Sequence, residues 1–322
     1  MKHQLDSRLI MFRYSMFRSL RKSSKQKEEK ESEQIIQQPV IGSISDRSLL
    51  SQRGYVLSDQ TLGEGSYSKV KRAYSKYQNC DVAVKIINRQ IAPQDFLERF
   101  LPRELEIIGH LNHENICKFF EVCDTGRRVY VFMQYACEGD LLEYIQRNSF
   151  VKESMAKEMF RQIVEALDYL HVHNILHRDL KCENILLEKG FKPLLTDFGF
   201  AKYTADITDL NKTYCGSSAY APIEILKGTP YDGRSAEVWS LGCILYTMTT
   251  GTMPFNDSNK SEHIRQMKRG PVFGRSRQKI TVSLQILISN VLQLKATARP
   301  TLKEILQSEW CATSIDDFEV NS

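Results

Sequence analysis

The chain has 322 residues, 42% hydrophobic and 26% charged, which is the balance of an ordinary soluble globular protein with one large domain or two modest ones. No apolar run approaches the ~20 residues needed to cross a bilayer; the nearest, Val238 to Thr250, carries Ser, Gly and Thr and reads as a buried helix. The net charge of +5 belongs to residues 1–53, with eleven Lys/Arg against six Asp/Glu, leaving 33 of each sign elsewhere. A basic tail of this kind argues against nucleic acid as a partner.

Residues 1–53 are rich in Lys, Gln, Ser and Glu and are expected to form a basic, disordered extension. Arg8 to Arg18 mixes Arg with large apolar residues, which leaves a membrane-surface helix or a transit peptide as alternatives to a plain extension. Dense patterning runs over 54–310, with a short tail at 311–322. The first part, about 54–135, reads as strands at Tyr55–Leu62, Lys69–Tyr74, Asp81–Ile87, Cys117–Cys123 and Val129–Tyr135, interrupted by one helix at Phe96–Leu111. The second, about 139–310, reads as helices at Lys152–His173, Ala236–Thr249, Ser258–Lys268, Thr281–Leu292 and Leu302–Gln307. Strands first and helices later imply an α+β fold in two lobes. The twelve residues after Trp310 are too few for an autoinhibitory helix of ordinary length. The eight cysteines include no CxxC pair and read as reduced thiols of an intracellular protein, which disfavours a zinc site.

Several short segments carry chemistry suited to phosphoryl transfer, which needs phosphates held still, their charge offset by Mg²⁺, and an acceptor hydroxyl in line. Gly63-Glu64-Gly65-Ser66-Tyr67-Ser68-Lys69-Val70 lies between two strands, and its small residues let backbone N–H groups approach phosphate oxygens. Alone it would be only a hairpin turn. In Val82-Ala83-Val84-Lys85, alternation puts Ala83 and Lys85 on one face, so Ala83 can lie over adenine and Lys85 reach phosphates. Glu104, on the following helix, can pair with Lys85, although a surface glutamate is the commoner fate of such a residue. The segment His177-Arg178-Asp179-Leu180-Lys181-Cys182-Glu183-Asn184 is more specific. Asp179 can accept or orient a hydroxyl proton, and Lys181 can neutralise charge on the transferred group. Asn184 and the Asp197 of Thr196-Asp197-Phe198-Gly199 can hold Mg²⁺.

With these motifs in this order, the chain resembles eukaryotic protein kinases from Tyr55 through Trp310. Lys181 after Asp179 is similar to the serine/threonine kinases, within the calcium/calmodulin-dependent-kinase-like branch. Phe100-Leu101-Pro102-Arg103-Glu104, Thr213-Tyr214-Cys215-Gly216-Ser217 and Met253-Pro254-Phe255-Asn256-Asp257-Ser258-Asn259 resemble the testis-specific serine/threonine kinases. The resemblance implies a two-lobed fold, ATP and Mg²⁺ as cofactors, and a nucleotide site formed by Leu62, the 63–70 loop, Ala83, Lys85, Glu104, Met133, Gln134, Ala136, Asp140 and Leu186. It implies that Met133 is the gatekeeper, that Gln134, Tyr135 and Ala136 form the hinge, and that Ser217 contacts Asp179 and Lys181. It implies an activating phosphothreonine at Thr213, added by an upstream kinase and paired with Arg178 and Lys202. Asp140 and Glu183 stand where a basic residue upstream of the acceptor would be met. The expected protein is a cytoplasmic monomer acting on protein substrates, with a germ-cell setting allowed by the resemblance.

Three departures from the family pattern stand out. Ser68 replaces a third glycine. Ala221-Pro222-Ile223-Glu224 moves a proline one place earlier, though Glu224 is still expected to pair with Arg299. Glu237 stands where the family has Asp, adding a methylene in a packed region. They leave open a second reading, a weakly active or inactive pseudokinase acting as a scaffold.

Overall fold

The computed structural model describes residues 46–204 and 216–312. The extension before residue 46, Thr213 and the tail from residue 313 lie outside the described residues. The chain divides into two compact units, one of residues up to 111 with 118–135, the other of 112–117 with 136 onward.

The first unit is a five-stranded antiparallel sheet of β1 (Tyr55–Glu64), β2 (Ser68–Ser75), β3 (Cys80–Asn88), β4 (Phe119–Asp124) and β5 (Arg128–Gln134), in the order β1-β2-β3-β5-β4. Period-two alternation gives it two apolar faces. On one, Tyr55, Ala73, Val82, Val84, Tyr130 and Phe132 pack together, with Tyr55 stacked on Phe132 at 3.7 Å. Helix α1 (Asp46–Gln52) covers this face, and its Leu50 is fully buried there. Arg128 Nη1 and Tyr130 Oη both donate to Asp46 Oδ2 at 2.8 Å, fastening the helix to β5. The expected domain start at residue 54 therefore falls after an element that belongs to the core. Seven residues with one apolar pair, Leu49-Leu50, show no helical period, and only tertiary contact stabilises a helix this short.

On the other face, Ile87, Val122, Val129 and Val131 pack against Leu101 and Leu105 of α2 (Leu101–His110). The single helix expected at 96–111 is in fact two segments, a π-helical turn at Phe96–Phe100 and then α2. Pro102 lies at the start of α2 and has no N–H to continue an α register backward. The Leu101 N–H instead closes a wide turn on the Phe96 carbonyl.

The second unit is helical around α4 (Glu153–Val172) and α6 (Gly233–Thr250), with α3 (Leu141–Asn148), α5 (Ile223–Leu226), α7 (Lys260–Arg269), α8 (Val282–Val291), α9 (Leu302–Leu306) and α10 (Glu309–Ala312). Nearly every residue of α6 is buried, its apolar residues lying on all sides of the helix rather than along one stripe. Gly242 lets α8 approach, since a Cβ there would lie 2.7 Å from Val291 Cγ1. Trp310 is fully buried and donates its indole N–H to Glu153 Oε1 at 2.8 Å, tying α10 to α4. Two small ribbons complete the unit: β6 (Ile175–Leu176) with β9 (Lys202–Tyr203), and β7 (Ile185–Glu188) with β8 (Lys192–Leu195). The expected α+β arrangement is the one observed. No helix of the described residues is long and apolar enough to cross a membrane, and the seven described cysteines are free thiols.

Candidate active site

In the first unit, cross-strand register places Lys85 opposite Val70 and Val131, and Ala83 opposite Met133. Directly opposed residues share a face, so Val70, Ala83, Lys85 and Met133 lie on the side of the sheet that α2 covers. Glu104 lies on the buried stripe of α2 with Leu101, Leu105 and Ile108, and is 6% exposed. The Lys85 ammonium donates to Glu104 Oε1 at 2.7 Å, while Glu104 Oε2 is buried without a partner. The β1–β2 loop is closed by the Gly65 N–H on the Ser68 carbonyl at 2.8 Å, so Ser68 in place of glycine keeps a tight turn. Glu64 and Lys69 pair across it at 3.0 Å, Ser66 is exposed, and Gly63 has open space on its side-chain face. Tyr67, at the tip, folds back so that its ring meets Phe96 of the π-turn at 4.6 Å. Leu62 is 38% exposed at the root of this loop. At the far end of β5, Gln134 exchanges hydrogen bonds with Lys118, its N–H on the Lys118 carbonyl at 2.8 Å and its side-chain oxygen on the Lys118 N–H at 3.2 Å.

In the second unit, the β7–β8 hairpin brings the two loops together. Ile185 opposes Leu195, so Asn184 and Thr196 emerge side by side, and the Thr196 N–H donates to the Asn184 carbonyl at 3.0 Å. Asp197 follows with φ +61°, and Arg178 has φ +65°, both left-handed and unfavourable for residues with a Cβ. His177 joins the loops a second time, its Nε2 on the Thr196 carbonyl at 2.9 Å and its ring 5.0 Å from that of Phe198.

Asp179, 5% exposed, is the centre of the network. Its Oδ1 accepts from the Ser217 N–H at 3.1 Å and the Ser217 hydroxyl at 3.2 Å. Its Oδ2 meets Lys181 Nζ at 2.9 Å and Asn184 Nδ2 at 3.1 Å. Burial pulls the Lys181 ammonium pKa down, but the hydrogen bond and charge of Asp179, with Glu183 and Asp197 beyond, outweigh it and hold the pKa above its usual value. The Asn184 amide nitrogen also donates to the Asp179 carbonyl at 2.8 Å, which fixes the amide orientation. Its oxygen then points the other way, available as a neutral ligand. Only glycine fits at position 216, with φ +85° and a Cβ that would lie 2.6 Å from the Arg178 carbonyl.

The supports of this loop are equally specific. Glu237, 4% exposed, accepts the Arg178 N–H at 2.7 Å and meets His171 Nε2 at 2.6 Å. Glu237 also borders a cavity of about 30 Å³ together with Asp179, Ser217 and Tyr220. Arg178 Nε donates to the Phe200 carbonyl at 2.7 Å, and Lys202 opposes Leu176 across β6–β9. Glu224 and Arg299 form a bidentate pair at 2.6 and 3.0 Å beneath the Trp239 ring, as expected. The displaced Pro222 serves as the N-cap residue of α5. Asp140 caps α3, accepting the Glu143 N–H at 2.8 Å; burial, followed by the charges of Glu143 and Glu183, outweighs the capping bonds and raises its pKa. Leu186 bridges to Asp140 through the backbone. His171 and Tyr220 were not singled out from sequence. Tyr220 donates to Glu183 Oε2 at 3.3 Å, accepts the Cys182 N–H at 3.4 Å, and has its phenol pKa raised chiefly by burial. Their signal in the sequence is slight: a histidine after Tyr169-Leu170 and a tyrosine between two alanines.

Comparison with known proteins assigns the chain to a family. The sequence model of the family described as "Protein kinase domain" matches residues 56–311. Testis-specific serine/threonine-protein kinase 1 of Mus musculus is 45% identical over 273 residues, 83% of this chain and 74% of that protein. Testis-specific serine/threonine-protein kinase 3 of Homo sapiens is 40% identical over 267 residues, 82% and 98%. Kinase 4 of the same name in Homo sapiens is 36% identical over 278 residues, 82% and 84%. The chain belongs to the protein kinases, among the testis-specific serine/threonine kinases.

Proposed function

We propose that this serine/threonine kinase uses ATP and Mg²⁺, with Asp179 as the base that takes the proton of the acceptor hydroxyl. The observation that carries the reading is the Asp179 carboxylate, held by donors on both oxygens yet beside Ser217, which can guide an acceptor chain. Lys181 offers its charge to the transferred group, and Lys85, steadied by Glu104, offers a cation to phosphate oxygens. The residues fit the cofactors: the Asn184 amide oxygen and the Asp197 carboxylate are hard ligands suited to Mg²⁺, and Val70 and Ala83 give an apolar surface suited to adenine. Bound there, ATP supplies the γ-phosphoryl group and Mg²⁺ screens its charge. Leu62, Met133, Gln134, Ala136, Asp140 and Leu186 complete the nucleotide site in this reading.

The substrate is a protein segment with a basic residue upstream of the acceptor, met by Asp140 and Glu183. Burial raises the Asp140 carboxyl pKa, and the nearby Glu183 charge adds to that rise, which supports reading the two as one acidic patch. Phosphate on Thr213, added by an upstream kinase, pairs with Arg178 and Lys202 and activates the enzyme. The enzyme is a cytoplasmic monomer whose kinase domain, expected at 54–310, takes in the Asp46–Gln52 helix as well, with the rest of the basic extension before it and the tail after it.

The test is purified protein with Mg²⁺-ATP and a peptide carrying Arg three residues before Ser, beside an Asp197→Ala control. Incorporation by the parent alone supports the enzyme, and none by either favours a scaffold. Full activity in Thr213→Ala would sink the activation step.

A further inference from the structure

A groove of about 460 Å³ lies in the second unit next to Ser217, lined by Ser218, by Leu226 and Lys227 at the end of the Ile223–Leu226 helix, and by Asp257, Lys260 and His263 around the start of the Lys260–Arg269 helix. Its volume is within the range of ordinary ligand sites. The Asp179 network does not use it.

Its charges are unbalanced. Lys227 and Lys260 are exposed and have no ion-pair partner among the described residues. Asp257, the single carboxylate of the lining, accepts the Ser218 hydroxyl at 3.3 Å. Leu226 supplies an apolar wall. His263 is 2% exposed, and its Nε2 has no hydrogen-bond partner, an unmet polar position that folding leaves for something else to satisfy. Burial holds this imidazole pKa below its usual value despite Asp257, so the ring is neutral near pH 7. Asn259 caps the Lys260–Arg269 helix, whose N-terminal end adds a fixed positive potential.

We propose that this groove is a second substrate subsite, which takes an anionic side chain, carboxylate or phosphate, downstream of the phosphorylated residue. The placement rests on the reading above, in which the acceptor lies at Asp179 and Ser217 and upstream basic residues meet Asp140 and Glu183. Ser218 follows Ser217 directly and forms the groove wall, so a peptide leaving the acceptor in the other direction enters it. At about 3.3 Å per extended residue, the groove is reached within a few residues. Lys227 and Lys260 flank the anion, and the apolar wall packs its stem. The substrate motif then has two signs, basic before the acceptor and acidic after it.

The experiment is a positional scan with the full chain. The parent peptide carries Arg at −3, Ser as acceptor and Ala from +1 to +6; Glu or phosphoserine replaces each downstream Ala in turn. At one or two adjacent positions the anion lowers KM about 5-fold relative to Ala, the size expected of two exposed charge contacts. In Lys227→Ala/Lys260→Ala this Ala-to-Glu ratio falls to about 1. Phosphoserine outperforming Glu identifies phosphate as the better anion. A scan with no downstream preference, or a ratio that survives in the double variant, overturns the subsite. Replacing the −3 Arg in parallel reports on the upstream reading separately. Fluorescence anisotropy of the best acidic peptide, with and without the two lysines, reads the groove even without turnover; equal affinities for both proteins would also overturn it.

Discussion

The two units hold their key charges in different ways. In the first, Lys85 and Glu104 meet through one 2.7 Å hydrogen bond between a strand and a helix, and the second carboxylate oxygen of Glu104 is buried without a partner. In the second, both oxygens of Asp179 are occupied, by Ser217 on one side and by Lys181 and Asn184 on the other. A single bond can be lost when one element shifts, whereas a carboxylate with several donors stays in place when any one is removed. The Lys85–Glu104 contact also depends on α2, which begins in a π-helical turn against the ring of Tyr67. The difference marks the first unit as the adjustable part and the Asp179 loop as preassembled.

Substitutions can break or sharpen that contrast. The largest effect is expected from Asp179→Asn, which removes the proposed base: kcat falls about 10²–10⁴-fold in a protein that remains folded by circular dichroism. Next come Lys85→Met and Glu104→Ala, each lowering kcat/KM by about 10²-fold. Because they share one bond, the double variant should be no worse than either alone, and additive losses in a double-mutant cycle would refute the single-contact picture. Leu50→Ala tests how firmly the first unit is built. It should cost about 2–5 kcal/mol in chemical denaturation, and a cost near zero would remove α1 from the core. Smallest is Ser217→Ala, expected to lower kcat about 10-fold, since the Ser217 N–H and the other donors still hold Asp179. A loss as large as that of Asp179→Asn would show that the loop is not preassembled.

Much of this was legible in the sequence because the chemistry is local. The segment His177–Asn184 packs its functional residues within eight positions, and Val82–Lys85 alternates as a strand must. The five strands were located to within a few residues for the same reason: a sheet buried on both faces leaves strong β-branched and aromatic runs. Local pattern could not reveal α1, the broken start of α2, or the partners His171 and Tyr220. Leu50 is buried only because the sheet presents an apolar face. His171 matters only because Glu237, 66 positions away, reaches it.

The comparison of departures shows the same division. From sequence, Glu237 looked like an overpacked substitute and Pro222 like a disturbed loop. In the structure Glu237 satisfies two buried groups beside a small cavity, and Pro222 starts a helix whose Glu224 still meets Arg299. By itself the sequence determined the family, the order of the elements and the chemically able residues, because these are fixed by short-range pattern and side-chain type. Only the tertiary structure decided which polar atoms are satisfied, which glycine cannot be replaced and which lysines are left over to face an open groove. Those outcomes depend on groups far apart in the chain meeting at hydrogen-bond distance, and the free energy of a buried polar atom is set by the partner it finds.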